Sequence, residues 1–103
     1  MIHELLAAGR GNARTGRELA GVLNCNIREV TEAVEKERRE GWPICAASGE
    51  NPGYYIAESP EELDHYCRRL KNRAIELFKT RQALVKVLQG IVDAQEGAEH
   101  GKD

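Results

Sequence analysis

A chain of 103 residues has room for one small domain and an appendage, and it excludes a second full domain. Its 41% hydrophobic and 31% charged residues give the balance of a soluble, α-rich protein, and no apolar run approaches the ~20 residues that a bilayer-spanning helix needs. The net charge of -2 excludes an overall basic field of the kind that draws proteins onto nucleic acid, so any such binding must come from locally placed cations.

Met1-Ile2-His3-Glu4 lacks the basic start of a signal peptide, and the apolar stretch at residues 5–8 is too short for one, so the cytoplasm is the expected compartment. Ile2, Leu5 and Leu6 stand at helical spacing and predict a first helix over residues 2–8, stopping at Gly9. A loop, Gly9-Arg10-Gly11-Asn12, follows. Thr15-Gly16-Arg17-Glu18 has the form of a capping box and opens a second helix to about Leu23. Ala20 is small enough for the next helix to cross closely, and Asn24 suits the left-handed conformation of a tight interhelical turn. Asn26 to Glu29 repeats the cap pattern and opens a third helix over about residues 26–40. Ile27, Val30, Ala33 and Val34 recur on one face of it, and Gly41 stops it.

Residues 42–47 suit a short strand, 48–53 a turn containing glycine and proline, and 54–57 a returning strand. Ser59-Pro60-Glu61-Glu62 is a strong helix start, with a cap, a proline at the first helical position and acids in the first turn. No proline follows, and the next glycine is Gly90, so a helix of about 30 residues is predicted. Leu63, Cys67, Leu70, Ala74 and Leu77 follow alternating steps of four and three; Arg81 interrupts, and Leu84, Leu88 and Ile91 resume the pattern. Phe78, Val85, Val87 and Val92 widen the stripe beyond a narrow seam. Such a surface calls for a cover, and a homo-oligomer, most simply a dimer, is the expected one. Lys71 and Arg73 flank the seam, which favours an antiparallel or multi-helix arrangement over a parallel zipper. Residues 95–103 read as a polar, disordered tail.

The stretch TGRELAGVLNCNIREVTEAVEKERREGWPICAASGENPGYYI is similar to the winged helix-turn-helix of the biotin-repressor and DeoR type. That type shows a capped second helix, an arginine-bearing third helix, a Leu/Arg-x-x-Gly-x-x-Ile segment and a wing closing on Gly-Tyr-x-Leu/Ile. The matching stretches are Arg38-Arg39-Glu40-Gly41-Trp42-Pro43-Ile44 and Gly53-Tyr54-Tyr55-Ile56, and the domain that the resemblance implies, residues 1–57, covers a little over half of the chain. It implies a winged helix-turn-helix over residues 1–57; with the long oligomerisation helix read over 58–94, the chain is expected to be mainly α with a β-hairpin wing (α+β). It also implies double-stranded DNA as partner, with the third helix in the major groove of paired half-sites. Ligase and sensor activities are not carried over.

Arg28, Thr31, Glu32 and Lys36 fall away from the apolar face of the third helix, where they would meet base edges or phosphates. Arg14, Thr15 and Arg17, with Asn26 at the next helix start, lie where backbone amides and basic side chains hold phosphate. The hairpin itself carries Glu50 and no Lys or Arg. Residues 68–86 hold seven bases against Glu76, a net +6, so the phosphate grip is expected from Arg14, Arg17 and the long helix.

A rival reading keeps the fold as a protein-interaction module, because Glu29, Glu32, Glu35 and Glu37 make the third helix acidic. A phage or plasmid accessory role in replication or excision is another alternative. Trp42, Tyr54 and Tyr55 are read as packing residues of the hairpin. No nucleophile and base pattern, phosphate loop or zinc-like spacing is present. Cys25, Cys45 and Cys67 read as reduced thiols, and no enzyme activity, cofactor, metal or small-molecule ligand is expected.

Overall fold

The computed structural model describes residues 1–100, with side chains through residue 97. It is mainly helical with one small antiparallel hairpin: α1 spans Gly16–Leu23, α2 Ile27–Arg39, β1 Ile44–Ala47, β2 Gly53–Ile56 and α3 Pro60–His100. The chain divides into two compact units, Met1–Cys67 and Arg68–Asp103. Among the described residues no helix is long and apolar enough to cross a membrane.

Local chemistry sets the helix ends. Thr15 Oγ accepts the Glu18 amide at 3.0 Å. α1 closes on Asn24 in the left-handed region (φ 52°, ψ 50°), with the Cys25 amide bonded back to the Ala20 carbonyl at 3.0 Å. The full capping box forms at α2: Asn26 Oδ1 accepts the Glu29 amide at 2.8 Å, and Glu29 reaches back to the Asn26 amide. Gly41, at φ 107°, takes the chain out of α2. Ser59 Oγ accepts the Glu62 amide and Pro60 is the first residue of α3.

Residues 2–8 do not form the expected α-helix. Only a 3-10 turn, Ile2–Leu5, is present, and the chain then runs extended beside β2. The Ala7 carbonyl accepts the Ile56 amide at 3.0 Å, and the Gly9 amide donates to the Ile56 carbonyl at 2.9 Å. Backbone groups that a helix would pair internally are thus used on the free edge of β2, which protects that edge from other chains. The apolar spacing still serves, because Ile2 is buried and Leu5 and Leu6 pack beside it. At the other end α3 runs on through Gly90 to His100, past the expected end at residue 94 and into the segment read as a polar tail; residues 101–103 lie outside the described residues.

The hairpin divides the interior by its two-residue period. Ile44 joins Ile2, Leu19, Val30 and Val34 in one cluster, with Tyr54 and Ile56 packed against it. On the opposite face Cys45 and its cross-strand partner Tyr55 pack with Tyr66 of α3, and Leu63 lies against them. Burial pushes the Cys45 thiol above its ordinary pKa, the Glu62 carboxylate adds to this, and Arg38 opposes it, so Cys45 is a protonated packing residue. All three cysteines are free.

Glu37 is 2% exposed, the one buried charged side chain among the described residues. It accepts the backbone amides of Ile2 at 2.9 Å and His3 at 2.8 Å, and it pairs with His3 Nδ1. The His3 ring in turn stacks on Trp42 with centroids 3.6 Å apart. Burial alone would raise the Glu37 pKa; the His3 and Ile2 amides and the His3 ring together outweigh it and hold the carboxyl below its ordinary 4.5. The stability this provides is therefore present above pH 4.5 and lost as pH falls through the lower folded-state value. Glu37→Gln should lower unfolding free energy by about 1 to 3 kcal/mol at neutral pH and reduce the acid-side loss, as read from urea unfolding across pH. Equal acid sensitivity in both proteins would refute this role.

Candidate nucleic-acid interface

Val30, Val34 and Glu37 turn one side of α2 inward, which leaves Arg28, Thr31, Glu32, Glu35, Lys36 and Arg39 on solvent. Along this face Thr31, Glu32, Lys36 and Arg39 line a shallow groove together with Glu35 and Glu40. Arg28 Nε is 3.1 Å from Glu32 Oε1, an exposed pair at helical spacing. Thr31 Oγ donates to the Ile27 carbonyl at 3.1 Å, its own helix backbone. Lys36 and Arg39 make no ion pair among the described residues, nor does Arg17 on α1.

A second cleft, of about 310 Å³, lies where the starts of α1 and α2 meet the hairpin. Thr15, Gly16 and Arg17 form one wall, Ile27 another, and Ala46, Pro52 and Tyr54 the hairpin side. Ile27 is 52% exposed there, an apolar side chain at the head of α2 that its place on the predicted core face did not single out. Thr15 and Asn26 border this region with their side chains committed to caps.

Arg14 differs from its expected role. Its guanidinium is only part-exposed; it donates to the Leu5 carbonyl at 3.4 Å and lies 3.8 Å from Glu18. Its backbone makes a two-bond bridge with Tyr54, at 2.9 and 2.7 Å, so the arginine chiefly joins the start of α1 to the hairpin. Arg38 also turns inward, bonding the Ile44 carbonyl at 2.8 Å and the Tyr66 hydroxyl at 2.9 Å. The hairpin, which has no cation of its own, borrows one: Arg10 donates to the Ser48 carbonyl at 3.1 Å, and Asn51 fastens the tip to Gly11 at 2.9 Å. Sequence spacing carries no signal for Arg10, because the contact closes over 38 residues.

The residues of the long-helix stripe are placed as follows. Leu63 packs into the Cys45 cluster, while Cys67 is exposed. Leu70 is 38% exposed, Ala74 is exposed, and Leu77, Phe78, Leu84, Val85, Leu88 and Ile91 are all open to solvent in the single chain. Among the described residues no three His, Cys, Asp or Glu side chains gather as a metal site. Comparison with family models, curated proteins and solved structures finds no match to this chain.

The joint between Arg14 and the hairpin depends on Gly53. Its φ of 128° is one that L side chains rarely adopt, and a Cβ there would overlap the Arg14 carbonyl and come within 2.7 Å of the Thr15 amide. Gly53→Ala should cost more than about 2 kcal/mol in chemical unfolding, whereas Gly49→Ala, in open space at the hairpin tip, should cost less. Equal losses at the two positions would show that the close approach carries no special weight.

Proposed function

We propose that the protein is a cytoplasmic DNA-binding regulator of the winged-helix kind, with α2 as the major-groove reader and the hairpin as its wing. The observation that carries this reading is the solvent-facing side of α2, where Arg28, Thr31, Glu32 and Lys36 are all exposed and the last three line one groove. α1 and the left-handed Asn24 turn hold that helix from behind, the arrangement of a helix-turn-helix.

Chemistry can then be assigned by position. Arg28, near the start of α2, suits a guanine edge, once its exposed pair with Glu32 opens at a cost of about 0 to 1 kcal/mol. Glu32 suits a cytosine amino group, and Ile27 a thymine methyl. Arg17 and Lys36 suit phosphates on either side of the groove, while Arg10 supplies the wing with the cation its sequence lacks. Arg14 ranks below Arg17 and Arg10 in the phosphate set, because its part-exposed guanidinium also lies 3.4 Å from the Leu5 carbonyl and 3.8 Å from Glu18.

Glu32, Glu35 and Glu40 on the α2 groove favour the second reading, a protein-interaction module docking a basic partner. Fluorescence anisotropy on duplexes from the genomic neighbourhood, titrated with salt, separates the two. DNA binding should weaken steeply with salt; no binding even at low salt would favour the interaction module.

Arg28→Ala should weaken the preferred duplex by about 1 to 3 kcal/mol and relax specificity at one base pair, with little change in unfolding stability. Arg17→Ala and Arg10→Ala should weaken all duplexes alike and each reduce the salt slope by about 1. Unchanged affinity in Arg28→Ala for every duplex would remove α2 as the reader. If Arg14→Ala reduced the salt slope more than either of the other two arginines, the phosphate assignment would be wrong.

A further inference from the structure

Six large apolar side chains of α3, Leu77, Phe78, Leu84, Val85, Leu88 and Ile91, are each 43% to 65% exposed in the single chain. Such a contiguous stripe is an association surface, because burying it removes apolar area from water at every turn. Its relief narrows the choice of occupant. Ala74, Leu77, Phe78 and Arg81 surround a hollow of about 230 Å³. Their spacing of i, i+3, i+4 and i+7 is that of the four-residue hole that receives one knob from a facing helix, and the small Ala74 deepens it.

We propose that the occupant is a second copy of this chain, paired antiparallel along α3 so that Leu88 of each copy enters the Ala74, Leu77, Phe78 and Arg81 hollow of the other. In the heptad, Leu77 and Leu84 take d positions, and Ala74, Arg81 and Leu88 take a positions. Reversing one helix sets a against d, so the hollow centred on Leu77 takes a knob from an a position. Leu88 is the one large apolar side chain at an a position of the stripe; the others are Cys67, Ala74, Arg81 and Gln95. That choice fixes the register: Leu88 lies across from Leu77, Arg81 from Leu84, and Ala74 from Ile91. Phe78 then meets Val85 on the flank.

The same register answers the charges. Helical side chains lean toward their own N-terminus, so the two Arg81 side chains diverge in this antiparallel pair. A parallel pair would put them in one layer, leaning the same way. Residues 68–86 carry seven bases against Glu76, while Asp93 and Glu96 lie beyond. The antiparallel register brings Lys71 of one copy beside Glu96 of the other and leaves only residues 79–86 of the basic stretch against their own kind, where a parallel pair would set the whole stretch against itself.

The test uses the full chain without DNA, so its result is independent of the nucleic-acid reading. Light scattering after gel filtration at tens of micromolar should give twice the 11.5 kDa chain mass. Leu88→Asp should give a monomer. Arg81→Leu, which removes the polar side chain from the seam, should tighten the pair by about tenfold or more. Register is read by mixing a Leu77→Cys chain with a Leu88→Cys chain, both carrying Cys25→Ser and Cys67→Ser, and oxidising. The main product should be the cross-link between positions 77 and 88. A monomer mass throughout, a mass above the dimer, or cross-links chiefly between like positions would overturn the proposal.

Discussion

The buried carboxylate of Glu37 is the constraint on which the first 67 residues depend. An ionised side chain that is 2% exposed is costly to desolvate, and its position in the last turn of α2 sets it against the negative end of the helix dipole. What offsets this is the convergence of the Ile2 and His3 amides and the His3 ring, all from the extreme start of the chain. The bonds have a directional consequence that apolar burial lacks. They fix where residues 1–3 lie along α2, and so place Ile2 against Val30 and Val34, with His3 on Trp42 at the exit of the same helix. An apolar residue at position 37 would fill the space but leave two backbone donors without acceptors.

From that anchor the arginines sort themselves by reach. Arg38, one residue on from Glu37, crosses to the Ile44 carbonyl and the Tyr66 hydroxyl and so joins α2 to β1 and to the first turns of α3. Arg14 is drawn to Leu5 and Glu18. Each arginine held inside the domain is one fewer cation on its surface, which is why the chain's modest net charge understates how selective any polyanion contact must be. On α2 only Arg28, Lys36 and Arg39 face outward, interleaved with carboxylates, and a nonspecific phosphate grip from that face would be weak. A face of mixed charge gains affinity only where its donors and acceptors match those presented, so it favours readout over adhesion.

What could be read from the residues alone was what is decided within one turn of chain. Thr15, Asn26 and Ser59 cap the helices they precede, and Asn24 takes the left-handed turn, because each bond closes over three or four residues. The hairpin and the start of α3 follow from turn and cap residues, and the length of α3 to Gly90 from a stretch free of proline and glycine. Residues 2–8 were misread because helical spacing of apolar side chains records only which side faces the core, whereas the backbone had a competing partner 49 residues away in Ile56. Glu37 had a faint signal, since it falls seven residues after Val30 on the same face; a charge on a stripe of valines is a candidate for burial. The roles of Arg10, Arg38 and Tyr66 could not be read, since contacts across 28 to 38 residues leave no periodicity.

The heptad spacing of the long helix serves two different uses along its length. Its first member, Leu63, with Tyr66 beside it, is taken by the cluster around Cys45 and Tyr55, so the pattern there serves the domain's own interior. From Cys67 onward the same spacing meets solvent, and large apolar side chains stay exposed from Leu77 to Ile91. That half also contains Gly90 and Gly97, each about 1 kcal/mol less favourable in a helix than alanine. Intrinsic propensity therefore falls beside Leu88 and Ile91, inside the exposed apolar stretch. A helix about 60 Å long draws its stability from packing rather than from propensity. In the proposed pair, helix formation past Gly90 and association along Leu84, Leu88 and Ile91 would be coupled: burial across the stripe would offset the glycines, and the continuous helix would keep the stripe in register.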